Sequence, residues 1–130
     1  MVDINEVVFS YTDKCNIQCD HCIVDSGPTR TEKIDYEKAK SVINDAKEIG
    51  TIKRITFTGG ESLLLIHEIG PLMTLTRSLG MNTALVSNGS WATSPEQTQK
   101  MVAKLEEYGL NELVVSISQW HRQFVPTERL

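Results

Sequence analysis

Strand-like and helix-like segments alternate along this chain, and this alternation is the strongest constraint on its fold. Four short segments rich in β-branched and aromatic residues are predicted as strands: 7–11, 54–58, 83–87 and 112–118. Apolar residues at helical spacing fill the segments between them. Helix boundaries are indicated by caps at Asp35 and Ser94 and by stops at Gly50, Gly80 and Gly109. Repeated strand–helix–strand units predict an α/β fold with a parallel sheet and right-handed crossovers.

Each predicted strand is followed by a polar motif. The motifs are the cysteine segment 15–22, Gly59-Gly60-Glu61, Ser87-Asn88-Gly89 and Ser116-Ile117-Ser118. Ligands of such folds gather at the carboxyl ends of the strands, so we expect the four motifs to meet at one rim. Glu61 could accept a hydrogen bond from an ammonium group, and glycines let a ligand approach the backbone. The hydroxyl and amide groups would suit a carboxylate and a ribose.

All three cysteines of the chain lie within eight residues, in the order Cys15, Cys19 and Cys22. Three thiolates on one short loop can bind three irons of a 4Fe–4S cluster, for which sulfur is the preferred ligand. The fourth iron then has no protein ligand, and an open coordination position is where a substrate can bind. The loop therefore predicts a reactive iron–sulfur centre.

Two other interpretations of the cysteines remain open. A zinc-binding domain would usually need four ligands, and only Cys19 and Cys22 have the familiar two-residue spacing, with His21 between them. A disulfide with one spare thiol would require an oxidising compartment, which an odd cysteine count and the lack of a signal peptide do not favour.

Composition narrows the class of protein further. The 130 residues suit one domain, and a hydrophobic content of 40% suits a globular core. No apolar run approaches the roughly 20 residues of a membrane helix. A net charge of −4 gives no basic surface, so we expect no nucleic-acid partner. Free thiols predict a reducing cytoplasm.

With these motifs in this order, the sequence resembles the N-terminal half of a radical S-adenosylmethionine (radical SAM) enzyme, over residues 1–130. The resemblance implies about three βα units and a fourth parallel strand, half of a (βα)6 barrel. The Cys-x3-Cys-x2-Cys signature is matched by Cys15, Cys19 and Cys22. The Gly-Gly-Glu motif, which binds the methionine amino group in the family, is matched by Gly59, Gly60 and Glu61. Ser87-Asn88 and Ser116 with Ser118 match the third- and fourth-strand segments.

The sequence departs from the family pattern at several positions. Ser118 replaces a frequent aspartate, Ser62 a frequent proline, and His21 a frequent aromatic residue whose backbone lies beside the adenine. Strands five and six are absent from these residues. His121 follows the fourth strand, where family members that act on peptides or other large substrates often have a histidine, and it is the candidate catalytic residue.

The resemblance implies a 4Fe–4S cluster and S-adenosylmethionine as cofactors. Reductive cleavage would give a 5′-deoxyadenosyl radical, which abstracts hydrogen from a peptide or small-molecule substrate. An electron donor such as flavodoxin or ferredoxin would be a partner. The alternative is a truncated, non-catalytic cluster-binding or partner module, because half a barrel does not enclose a substrate. Self-association through the exposed edge of the fourth strand is expected in either case.

Overall fold

The described residues of the computed structural model, 2–19, 22, 25–118 and 121–125, form an α/β fold around one sheet. Its four parallel strands stand in the order β1-β2-β3-β4. The predicted α/β architecture is confirmed. The elements are β1 (Glu6–Thr12), α1 (Tyr36–Ile49), β2 (Arg54–Gly59), a 3-10 helix (Ser62–Leu65), α2 (Ile66–Ser78), β3 (Asn82–Ser87), α3 (Pro95–Tyr108), β4 (Glu112–Val115) and a second 3-10 turn (His121–Gln123).

The helix ends follow the capping residues of the sequence. The carboxylate of Asp35 accepts a hydrogen bond from the Lys38 amide, and the Ser94 hydroxyl accepts one from the Gln97 amide. Gly50 and Gly109 end α1 and α3 in the left-handed conformation, which glycine adopts without steric cost. These caps fix where the crossovers start and stop.

The helices pack on one face of the sheet. Phe9, Phe57, Leu85 and Leu113 occupy one register row across the four strands and belong to the core or pack against it. The Phe9 and Phe57 rings stack with centroids 5.7 Å apart. Side chains alternate along a strand, so the neighbouring residues point to the opposite face. We call that face the open face; it contains Val8, Ser10, Thr58, Val86 and Val114.

An ion-pair row crosses the open face near the amino ends of the strands. Arg54 on β2 contacts Glu6 on β1 at 3.1 Å and Glu112 on β4 at 3.0 Å. The three side chains are 30–54% exposed, so these pairs contribute little to stability. Their position leaves the polar motifs at the other end of the sheet.

Two elements differ from expectation. β4 ends at Val115 rather than at residue 118, because its partner β3 ends at Ser87 and the chain turns away at Gly89, where φ is +75°. Pro71 lies in the second turn of α2, although proline is tolerated best in the first turn of a helix. The 3-10 helix that precedes α2 begins the helical path four residues earlier.

None of the described helices is long and apolar enough to cross a membrane. The candidate residue His21 lies outside the described residues.

The two edges of the sheet are covered differently. The Ile34 amide donates to the Tyr11 carbonyl at 2.8 Å and the Asp13 amide donates to the Glu32 carbonyl at 3.1 Å, so residues 32–34 cover the end of β1. Within the part of the chain that the structure describes, β4 pairs only with β3. Val114 on this edge strand is 42% exposed. An apolar edge strand of this kind favours pairing with another chain.

We therefore predict that the isolated 130-residue polypeptide self-associates, and that Val114→Lys shifts it toward the monomer. A lysine on an edge strand opposes strand addition through its charge. Val42→Lys is the matched control, because Val42 on α1 is similarly exposed, at 40%, but lies away from the edge. Sedimentation velocity between micromolar and millimolar concentration measures the effect. A wild-type monomer throughout that range would contradict the prediction.

Candidate functional site

A cavity of about 430 Å³ lies at the carboxyl ends of the four strands. It has the position at which α/β folds bind their ligands. All four polar motifs of the sequence contribute to its wall. The lining residues are Ser10, Cys15, Ile17, Cys19, Cys22, Ser26, Thr58, Gly59, Gly60, Val86, Ser87, Asn88, Ser116 and His121.

The three cysteines share one side of this cavity. Cys15 is buried, Cys19 and Cys22 are partly buried, and none of them forms a disulfide. The loop is fastened at its base, where the Cys15 amide donates to the Gly27 carbonyl at 3.1 Å and the Gly27 amide donates to the Asp13 carbonyl at 3.2 Å. The backbone thereby returns next to the end of β1, and all three cysteines line the cavity.

Several N–H groups point at these sulfurs. Cys15 Sγ accepts hydrogen bonds from the Ile17 amide and from Asn88 Nδ2, the latter at 3.6 Å. Cys22 Sγ accepts one from the Ser26 amide at 3.4 Å. Burial raises the pKa of the Cys15 thiol, and the two hydrogen bonds act against that effect by favouring the thiolate. Metals bind thiolates, so these donors suit a metal-ligand loop.

The three cysteines form a donor set that suits an iron–sulfur cluster. In a cluster each thiolate binds a different iron, so the sulfurs need not converge on a point. The buried Ser26 hydroxyl, which lines the cavity, has no hydrogen-bond partner within the described part of the chain. The Ser26 hydroxyl is therefore available to form a hydrogen bond with a group bound in the cavity.

Gly59 and Gly60 bring the end of β2 against the start of the cysteine loop. The Gly60 amide donates to the Thr12 carbonyl at 2.7 Å, and the Glu61 amide donates to the Lys14 carbonyl at 2.8 Å. A Cβ on Gly60 would lie 2.1 Å from the Lys14 carbonyl oxygen, and one on Gly59 would lie 2.4 Å from that of Thr12. Both residues must therefore be glycine for the end of β2 to contact the backbone of residues 12–14, whether or not a ligand also approaches them.

The Glu61 carboxylate is directed inward, behind the cavity wall. It is 1% exposed and accepts hydrogen bonds from the Asn88 amide at 2.7 Å, the Ser87 hydroxyl at 2.9 Å and the Leu63 amide at 3.3 Å. Burial raises the pKa of this carboxyl group, and the three hydrogen bonds partly offset the rise. Glu61 thus joins the end of β2 to the end of β3.

The fourth-strand segment supplies the opposite wall. The Ser116 amide donates to the Ser87 carbonyl at 2.8 Å. This hydrogen bond extends the pairing of β3 with β4 by one residue beyond the end of β4. Ser118 Oγ lies 2.8 Å from His121 Nδ1. His121 is a lining residue of the cavity. Ser118 is not, but its hydroxyl contacts the imidazole of His121.

Most of the candidate residues meet at the cavity. Glu61 and Ser118 contact its lining residues from behind, and His21 is outside the described residues. The sequence motifs do not include the lining residues Ser10, Thr58 and Ser26. They also omit Trp91, whose indole Nε1 donates to Ser87 Oγ at 2.9 Å. Ser10 and Thr58 could have been found as polar residues at the ends of predicted strands. Ser26 and Trp91 carry no such signal.

Comparison with known proteins identifies the family. The family model of the Radical SAM superfamily matches residues 9–127. The chain belongs to the radical SAM superfamily. Members of this superfamily bind a 4Fe–4S cluster and S-adenosylmethionine.

Curated relatives and a solved structure agree with this assignment. YydG of Bacillus subtilis, a protein named for peptide biosynthesis, is 29% identical over 117 residues, which cover 90% of this chain and 37% of YydG. The GTP 3′,8-cyclase of Desulforamulus reducens is 30% identical over 88% of this chain and 34% of the cyclase. The chain thus spans about a third of the length of these relatives. BtrN, solved in complex with AdoMet and 2-DOIA, has the same fold, with a TM-score of 0.70 and 18% identity over 99% of this chain and 55% of BtrN.

We predict that Gly60→Ala lowers the free energy of unfolding by at least about 2 kcal/mol, because the new methyl group meets the Lys14 carbonyl, which cannot move without displacing Cys15. Gly27→Ala is the control in the same loop, since its Cβ would meet only the Gln18 side chain at 3.8 Å. Denaturant unfolding measures both. Equal stability of the two variants would show that the contact between the Gly60 and Lys14 backbones is unimportant.

Proposed function

We propose that this chain is the N-terminal part of the core of a radical SAM enzyme and binds a 4Fe–4S cluster through Cys15, Cys19 and Cys22. The observation that supports this most directly is the position of the three cysteines, which line one cavity at the carboxyl ends of the strands, with N–H donors directed at the sulfurs of Cys15 and Cys22. When bound, the cluster supplies the electron that cleaves S-adenosylmethionine to methionine and a 5′-deoxyadenosyl radical.

The chain's own residues would bind and orient S-adenosylmethionine. Gly59 and Gly60 offer backbone at the cavity wall, and Ser87 and Ser116 offer polar groups on the two neighbouring strands. Glu61 supports this arrangement from behind through Ser87 and Asn88. Ser10 and Thr58, on the open face just below, add hydroxyl groups to the same cavity.

The substrate class that we propose is a peptide or a small molecule. A relative named for peptide biosynthesis, YydG, and GTP 3′,8-cyclases are among the similar proteins, which supports both classes. His121 is the candidate catalytic residue, because its imidazole lines the cavity and Ser118 fixes one ring nitrogen at 2.8 Å. An imidazole at this position could exchange a proton with the substrate. A reduced flavodoxin or ferredoxin is the proposed electron donor.

Anaerobic reconstitution with iron and sulfide should give about four irons per chain and the electron paramagnetic resonance signal of one reduced 4Fe–4S cluster. Alanine at Cys15, Cys19 or Cys22 should abolish that signal, because each thiolate is the sole protein ligand of one iron. His121→Ala is the control, since it alters the same cavity without removing a thiolate. Stoichiometric zinc without an iron–sulfur signal in the wild-type protein would contradict the proposal.

Glu61→Ala should weaken S-adenosylmethionine binding by on the order of 1.5–3 kcal/mol, roughly a tenfold to hundredfold rise in Kd. The variant loses the carboxylate that accepts hydrogen bonds from Ser87 and Asn88, so these two residues are no longer held at the cavity wall. Glu68→Ala is the control, because Glu68 contacts Lys33 and Tyr11 away from the cavity. Equilibrium binding to the reconstituted protein gives both constants, and an unchanged Kd for Glu61→Ala would remove Glu61 from the site.

A further inference from the structure

We propose that Asn88 is a positioning residue for the cluster, and that its side-chain amide raises the cluster's reduction potential by donating a hydrogen bond to the sulfur of Cys15. This inference rests on the proposed function, because it requires that Cys15 binds iron. It assigns to Asn88 a role toward the cluster in addition to its place beside the proposed S-adenosylmethionine site.

The polar atoms of the Asn88 side chain are engaged by the cysteine loop and its own turn. Nδ2 lies 3.6 Å from Cys15 Sγ and 2.9 Å from Asn16 Oδ1, so its two hydrogens have two acceptors. Oδ1 accepts a hydrogen bond from the Ser90 amide at 2.9 Å. The opposite orientation of the amide would place its oxygen against two acceptors and its NH₂ group against the Ser90 N–H. The network therefore determines that the sulfur faces a donor.

The main chain of Asn88 is fixed as well. Its amide donates to the buried Glu61 carboxylate at 2.7 Å, and the same carboxylate accepts from Ser87 at 2.9 Å. Asn88 and Cys15 are 6% and 7% exposed, so water competes little for their contact. Asn88 thus holds a fixed donor against a buried sulfur.

The physical effect on a cluster has a definite sign. Reduction adds negative charge that is shared with the ligand sulfurs, so a donor to sulfur stabilises the reduced state more than the oxidised state. The effect is strengthened at a site with little water. The Ser26 amide acts similarly on Cys22, but it is a backbone group that substitution of a side chain does not remove. Asn88 is therefore the side chain through which this effect can be tested.

A redox titration followed by electron paramagnetic resonance, without S-adenosylmethionine, tests the proposal. Asn88→Ala should lower the equilibrium constant for reduction by up to about tenfold, equivalent to about 59 mV for one electron. Asn88→Asp should lower it further, because it places a carboxylate near the sulfur. Asn44→Ala, which removes an asparagine amide on α1 that donates to the Lys40 carbonyl, should leave the potential unchanged. Wild-type potentials in both Asn88 variants, at full iron content, would overturn the proposal.

A second measurement does not depend on how the Asn88 variants fold. In protein labelled with ¹⁵N only in asparagine side-chain amides, the reduced cluster should show a weak hyperfine coupling to nitrogen. The same coupling should remain in the Asn16→Asp variant, which lacks the neighbouring side-chain amide of Asn16. If protein with full iron content lacks this coupling, the proposed role of Asn88 is overturned, while the proposed function stands. A wild-type protein that binds no cluster would overturn the proposed function and this inference with it.

Discussion

Removing a carboxylate from water costs several kcal/mol unless hydrogen bonds replace the lost solvent, and Glu61 is almost completely removed from water. The donors that replace the solvent come from Ser87, Asn88 and the helical turn at Leu63. Because burial raises the pKa of Glu61, ionisation as the pH rises through that raised value costs folding free energy. The carboxylate thus requires the ends of β2 and β3 to lie together, and the cavity depends on that contact.

The contact between the ends of β1 and β2 is of a different kind. No charge is involved; two backbones approach so closely that Gly59 and Gly60 leave no room for a side chain between them and residues 12–14. The cysteine loop begins immediately after this contact, so its first thiol is positioned by main-chain packing. Asn88 then reaches the same thiol from β3. Three strands thereby determine the position of Cys15.

Much of this arrangement could be predicted from the sequence, because its signals are local. Strand composition, the caps at Asp35 and Ser94 and the spacing of the cysteines depend on near neighbours along the chain. The direction of the Glu61 side chain could not be predicted, since it depends on partners 26 and 27 residues away. The predicted end of β4 is too late for the same reason: pairing stops where β3 stops, not where β-branched residues stop.

The strand order has a consequence for how the protein forms. Each strand lies beside the strand that precedes it in the chain, with one helical crossover between them. With this order, each new strand can pair with a strand that has already been synthesised, and domains begin to fold from the amino terminus while synthesis is still under way. Cys15, Glu61 and Asn88 are all present once Ser90 has left the ribosome, whereas Ser116 and His121 follow about 30 residues later. The nascent chain can therefore complete its cysteine-bearing wall before the wall that carries the histidine exists.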